Sequence, residues 1–291
     1  MLRHVTAGVD ATPESLAAVH WAAREALRRG AGLRLVHAPR RSAAAVPPTS
    51  GAPEPEGARV LERVVAGVRA AHPGLPITAR IGTDSPVAAL LAAADEADLL
   101  VLGSRGRDDV TGGVGAVGEP VVARSATPVV LVRAGEGCAG EHLPAPDGVS
   151  PEEIPEIPYR DVVLGLDISR PCDELIEFAF ASARLRATVL RVIHASPPPM
   201  APAGGATERP LEGALAARLR PWREKFPTVP VVETVTGEAA ADELVRVSGG
   251  AALTVVGRGT GDGRPDRPHL GPVTRAVLHR ARCPVAVVPH V

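Results

Sequence analysis

Two aspartates and two glycine-rich stretches carry the chemistry that this 291-residue sequence offers. Asp10 ends "VTAGVD" (5–10) and Asp167 ends "VVLGLD" (162–167), so each carboxylate follows a short apolar run. An acidic side chain at the tip of a strand can accept hydrogen bonds from ribose hydroxyls. Asp10 could equally serve only to cap a helix opening near Thr12. The glycines lie further along. Gly103 and Gly106 stand in "VLGSRGR", followed by Gly115 and Ala116; Gly257, Gly259 and Gly261 stand in "VVGRGTG", followed by Gly271 and Pro272. A glycine-rich loop between a strand and a helix N-terminus leaves backbone N–H groups uncovered beside the positive helix end, which suits phosphate. Glycine at such a junction is also ordinary turn chemistry. Neither stretch is a P-loop, because no G-K-[ST] follows, and neither is a dinucleotide fingerprint, which would follow the first strand.

Other reactive patterns are thinner. No G-x-S-x-G elbow or H-E-x-x-H motif occurs, and no paired carboxylates suggest acid–base catalysis, so the expectation is a protein that is not an enzyme. Slow hydrolysis at a phosphate site would have to use the same glycine stretches. His279 and Cys283 are four apart but have no second pair beside them, so no metal site is expected. His37 and His194 each end an apolar run and suit a place in the fold or at the rim of a ligand cleft. The three cysteines (Cys138, Cys172, Cys283) lack C-x-x-C spacing and fit a reducing compartment.

A formal net charge of −1 and 2% aromatic residues argue against nucleic acid as a partner. No apolar run approaches the roughly 18–20 residues that span a bilayer, and Asp10 and Glu14 interrupt the stretch a signal peptide needs. A cytoplasmic protein without a membrane partner is expected.

The elements that must position these residues are written twice. Asp10 and Asp167 are 157 apart, as are His37 in "LRLVHA" and His194 in "LRVIHA". Gly115 and Gly271 are 156 apart, as are Pro128 and Pro284. A near-constant offset from one end of each half to the other indicates tandem duplication of a whole domain. The domains are read at 1–133 and 160–291, with 134–159, rich in Pro, Gly and Glu, as linker. Thr12 as N-cap, Pro13 and a terminating Gly30 mark the first helix, with Leu16, Val19, Ala23 and Leu27 at helical spacing. Strands at 33–38, 77–81, 98–103 and 128–132 alternate with helices at about 58–71 and from Ser85 to Glu96. Pro120 lacks the N–H a helix interior needs, which moves the expected start of the helix near Gly115 to about Glu119. The Pro-rich stretches 39–57 and 196–210 read as paired loops that could recruit a partner protein. Strands alternating with helices imply an α/β fold: two tandem Rossmann-like domains, each a five-stranded parallel sheet with helices on both faces.

"VTAGVDATPESLAAVHWAAREALRRGAGLRLVHA", "VLGSRGR" and "LGPVTRAVLHRARCPVAVV" resemble the universal stress protein family in both halves. The resemblance implies tandem five-stranded α/β domains paired through their last strands. It also implies ATP binding in many members through G-x-x-G-x₉-G-[ST] after strand four, with the strand-one aspartate near the nucleoside and Mg²⁺ only as a companion of ATP. Both halves depart from that motif. Eight residues separate Gly106 from Gly115, and Ala116 stands where a hydroxyl belongs. Nine residues separate Gly261 from Gly271, but Pro272 replaces the hydroxyl. Asp108 and Asp109 add negative charge to the first stretch, while Arg258, Arg264, Arg267 and His269, offset in part by Asp262 and Asp266, make the second more cationic and rank it slightly ahead for phosphate. The expectation is a stress protein binding adenine nucleotide weakly or in one domain only. The alternative is a nucleotide-independent interaction protein acting through an unidentified partner. The apolar last strands suit an intramolecular domain pair and also association of two chains.

Overall fold

Strand and helix alternate twice along the chain in a computed structural model that describes residues 4–38, 56–83, 85–105, 114–135, 138–144, 157–196, 208–260 and 270–290. The chain divides into two units, Met1–Gly135 and Glu136–Val291. The first runs β1 (His4–Val9), α1 (Pro13–Arg29), β2 (Gly32–His37), α2 (Glu56–Ala71), β3 (Ile77–Ile81), α3 (Pro86–Asp95), β4 (Leu99–Ser104), α4 (Gly115–Arg124) and β5 (Val129–Arg133). The second opens with a short helix, α5 (Cys138–Glu141). It continues as β6 (Asp161–Gly165), α6 (Asp173–Leu185), β7 (Leu190–Ala195), α7 (Glu208–Lys225), β8 (Val231–Thr236), α8 (Ala240–Ser248), β9 (Ala251–Gly259), α9 (Pro272–Arg280) and β10 (Val285–His290).

Within the first unit the strand order is β3-β2-β1-β4-β5, and within the second it is β8-β7-β6-β9-β10, every pair parallel. Every residue of β5 is buried, and all of β4 except Gly103, as expected where helices cover both faces of a parallel sheet. The strand order reverses direction between β1 and β4, and again between β6 and β9. Such switch points open a crevice at the carboxyl ends of the strands.

Local chemistry sets the first helix. The Thr12 hydroxyl accepts from the Ser15 N–H at 3.2 Å, Pro13 opens the helix, and Gly30 closes it in the left-handed region at φ 61°. The buried stripe differs from the sequence reading. Val19 and Ala23 are buried, but Leu16 and Leu27 are 38% and 49% exposed, and Ala18, Trp21, Ala22 and Ala26 complete the face. Small alanines let the helix axis approach the sheet closely, so leucines at either end of the stripe stand outside the contact. Glu25, with no exposed surface, is held by Arg28 at 2.9 Å and Arg29 at 2.7 Å.

A second correction concerns α4. The helix begins at Gly115, not near Glu119, with Pro120 inside it. The proline is the sixth of ten helical residues, past the first four whose N–H groups have no intrahelical partner, so it removes the bond that the Ala116 carbonyl would accept. Gly115 itself takes φ +84°, a left-handed entry that a side chain would strain. Part of the stretch read as linker is built in: α5 precedes a bridge between His142 and Tyr159, and the Leu143 N–H donates to the Pro158 carbonyl at 2.9 Å. Most of the two Pro-rich stretches lies outside the described residues. Among the described residues no helix is long and apolar enough to cross a membrane.

Candidate functional site

Each switch point carries a cavity, and Asp10 and Asp167 line one each. In the first unit the register runs Ala7 to Val101, so Val9 and Gly103 come level two residues further along. Asp10 follows immediately. Its Oδ1 accepts from the Thr12 N–H at 3.1 Å and the Thr12 hydroxyl at 2.6 Å, so both bonds from Thr12 fall on one oxygen. Burial alone would raise the Asp10 carboxyl, but the Thr12 bonds, Ser15 and the His37 ring outweigh it and hold the pKa below the ordinary value. The carboxylate is therefore charged at neutral pH.

The cavity measures about 610 Å³. Its floor is the ends of β1 and β4; β2 contributes Val36 and His37, α2 Gly57 and Val60, α3 Pro86 and Leu90, and α4 Val117 and Gly118. His37 Nδ1 lies 2.7 Å from the Val9 carbonyl, which can only accept, so Nδ1 carries the proton. That bond ties the end of β2 to the end of β1. The ring covers Gly57, where a Cβ would fall 2.6 Å from His37 Cδ2. Gly103 is needed for packing as well: a Cβ there would meet the backbone of Glu14 and Ser15 at 2.6 Å.

The second cavity, about 470 Å³, repeats the plan with different groups. Asp167 Oδ1 accepts from the Ser169 N–H at 3.0 Å and its hydroxyl at 2.6 Å. Burial would raise this carboxyl too, but Ser169, Arg170 and His194 bring it below the ordinary value. Its Oδ2 differs from that of Asp10 in lying 3.9 Å from Arg170 Nε. Cys172 occupies the register position of Ser15. Burial pushes its thiol up, against the pull of the Arg218 guanidinium 3.7 Å away. Arg258 also lines this cavity, and burial lowers its pKa.

The sequence-derived residues distribute unevenly. Asp10 and Gly103 line the first cavity, and Asp167, Gly257, Gly259, Gly271 and Pro272 the second. Gly115 and Ala116 open α4, but that helix meets the cavity through Val117 and Gly118. Gly106 and Gly261 lie outside the described residues, as do Asp108, Asp109, Arg264, Arg267 and His269. Gly103, Gly257 and Gly259 belong to strands, so the glycine stretch begins inside the sheet and not in the loop. Pro272 takes the first helical position behind Gly271 as N-cap. Sequence reasoning missed Thr274, whose hydroxyl donates to the Gly257 carbonyl at 2.8 Å two residues beyond Pro272. It also missed Ser15, Cys172, Arg170 and His290 as lining groups. The 157-residue offset links Ser15 to Cys172, the one signal available for that pair. Cys283, considered above with His279, is buried with its sulfur 3.2 Å from the Thr254 hydroxyl.

Fold and crevices together define a tandem doubly wound α/β protein with one ligand-sized cavity at each switch point. The universal stress protein family model matches residues 1–133 and 158–289, and the chain belongs to that family. It is similar to a universal stress protein of Mycobacterium tuberculosis H37Rv, 32% identical over 298 residues that cover 97% of this chain and 96% of the relative. One from Mycolicibacterium smegmatis is 30% identical over 311 residues, covering 98% and 96%. The crystal structure of a universal stress protein from Archaeoglobus fulgidus shares the fold, with a TM-score of 0.65 at 16% identity and 98% coverage of each chain.

Proposed function

We propose that this universal stress protein is a non-catalytic binder of adenine nucleotide, and that the first unit's cavity takes the ligand. The observation that carries the reading is Asp10. Its charged carboxylate sits on the wall of a roughly 610 Å³ cavity, with Oδ1 committed to Thr12 and Oδ2 left for ribose hydroxyls. The cavity volume falls within the range of about 300–1,000 Å³ usual for small-molecule sites. Gly103 and the opening of α4 then lie on the phosphate side, ATP being the ligand and Mg²⁺ its companion. Arg170 competes for Asp167 in the second unit, which makes that carboxylate the weaker ribose acceptor.

The non-catalytic role is supported by how the polar side chains are engaged. The Ser15 hydroxyl donates to the Thr12 carbonyl at 3.0 Å, and His37 Nδ1 is tied to Val9. Neither stands as a nucleophile with a base beside it. The free thiol of Cys172 supports a reducing, cytoplasmic setting. Purification without added nucleotide, followed by denaturation and mass spectrometry, tests the reading. Near-stoichiometric AMP, ADP or ATP is the expected result. An empty protein that also fails to titrate with Mg²⁺–ATP would overturn it in favour of a nucleotide-independent interaction protein. Magnesium-dependent phosphate release by the pure protein would overturn the non-catalytic role.

A further inference from the structure

The two cavities differ where the last strand reaches them. No residue of β5 lines the first cavity, whereas His290, the final residue of β10, lines the second. The repeat register puts Ala134 at that position in the first unit. His290 pairs with Gly259, and its ring leans back over Gly257, where a Cβ would fall 2.5 Å from Nε2 and 2.8 Å from Cδ2. The face of Gly257 is therefore covered by an imidazole. The face of its counterpart Gly103 is covered instead by the opening backbone of the helix after strand one, Glu14 and Ser15.

The cause lies in where those helices start. Helix α1 opens at Pro13, three residues after Asp10, whereas α6 opens at Asp173, six residues after Asp167. The ring occupies the space beside that later start and is fixed there. His290 Nδ1 lies 3.0 Å from the Pro171 carbonyl, which can only accept, so Nδ1 carries a proton and the bond fixes the ring in place. A nucleotide running from Asp167 across Gly257 towards Gly271 and Pro272 would meet the ring standing over Gly257, in a cavity of about 470 Å³ against about 610 Å³ in the first unit.

The geometry points to His290 as the residue that closes the second cavity to nucleotide, giving a chain of two like domains and one working site. The inference rests on the nucleotide reading above but concerns only which cavity is open. Equilibrium dialysis of the full chain with Mg²⁺–ATP tests it through the number of ligands bound. The wild type is expected to bind one, and His290→Ala two. His290→Asn is the companion variant, because its amide N–H can keep the bond to Pro171 while the far edge of the ring is removed. The added site should vanish again when either change is combined with Asp167→Asn. An extra site over a wild type that binds none would sustain the role of His290 while refuting the first-unit assignment. Two sites in the wild type, or no added site in variants that melt like the wild type, would overturn the inference.

Discussion

Replacing Asp10 by asparagine separates the two tasks of this side chain. Oδ1 is pinned by two donors, the Thr12 N–H at 3.1 Å and the Thr12 hydroxyl at 2.6 Å. An asparagine must therefore keep its carbonyl oxygen at that place and turn its NH₂ to where Oδ2 was. The turn into α1 survives, while the acceptor offered to ribose becomes a donor. A hydrogen bond to a charged group contributes about 1.5–3 kcal/mol, which converts to roughly 10- to 150-fold in affinity. The cost to stability is smaller, about 1 kcal/mol, because the Thr12 bonds persist but lose their charge assistance. Calorimetric titration with ATP or AMP, beside a thermal melt, reads both quantities. The expected outcome is a dissociation constant raised at least tenfold for Asp10→Asn and unchanged for Asp167→Asn. An Asp10→Asn protein that binds within twofold of wild type would refute the placement of ribose at Oδ2.

Other expectations concern the frame. Gly103→Ala sets a methyl 2.6 Å from backbone atoms of Glu14 and Ser15, which cannot swing aside, and should destabilise the protein by about 1–3 kcal/mol in urea unfolding. Pro120→Ala restores an N–H inside α4 and should stabilise it by about 1–3 kcal/mol; a lower melting temperature would argue against the helix starting at Gly115. His20 Nδ1 lies 3.4 Å from His72 Nε2; burial and then the Arg24 charge lower the His20 pKa, and burial, the His20 ring and Arg24 lower that of His72. The unfolded chain takes up those protons first, so stability should be full above about pH 6.5 and fall as the pH drops below it. The carboxylates Asp10, Asp167, Glu96 and Glu243 have lowered pKa values and lose their contribution only in more acidic solution. His20→Gln with His72→Gln should flatten the loss between pH 7 and 5.5, and an unaltered slope would exclude the pair as its source.

The duplication, the order of elements and the class of fold are all readable from local signals. Thr12, Pro13 and Gly30 bound a helix because capping and left-handed closure depend on a few neighbouring residues. Asp10 and Asp167 stand out because each follows an apolar run at the same offset. Local signals also explain why Asp10 allowed two readings, cap and ligand: the structure uses Oδ1 for the first and the nucleotide proposal uses Oδ2 for the second. The buried face of α1 was less readable. Leu16 and Leu27 are the more hydrophobic residues, yet Ala18, Ala22 and Ala26 meet the sheet, because closeness of approach depends on the small size of residues on both surfaces. Pro120 misled in the same way, since its local cost says nothing of the packing that holds Val121 and Val122 in the core. Sequence alone determined that there are two such domains and where each carboxylate falls. The inequality of the two cavities belongs to the folded chain. His290 reaches Gly257 from 33 residues away, and Arg170 reaches Asp167, only after strand register and helix start have brought them into range.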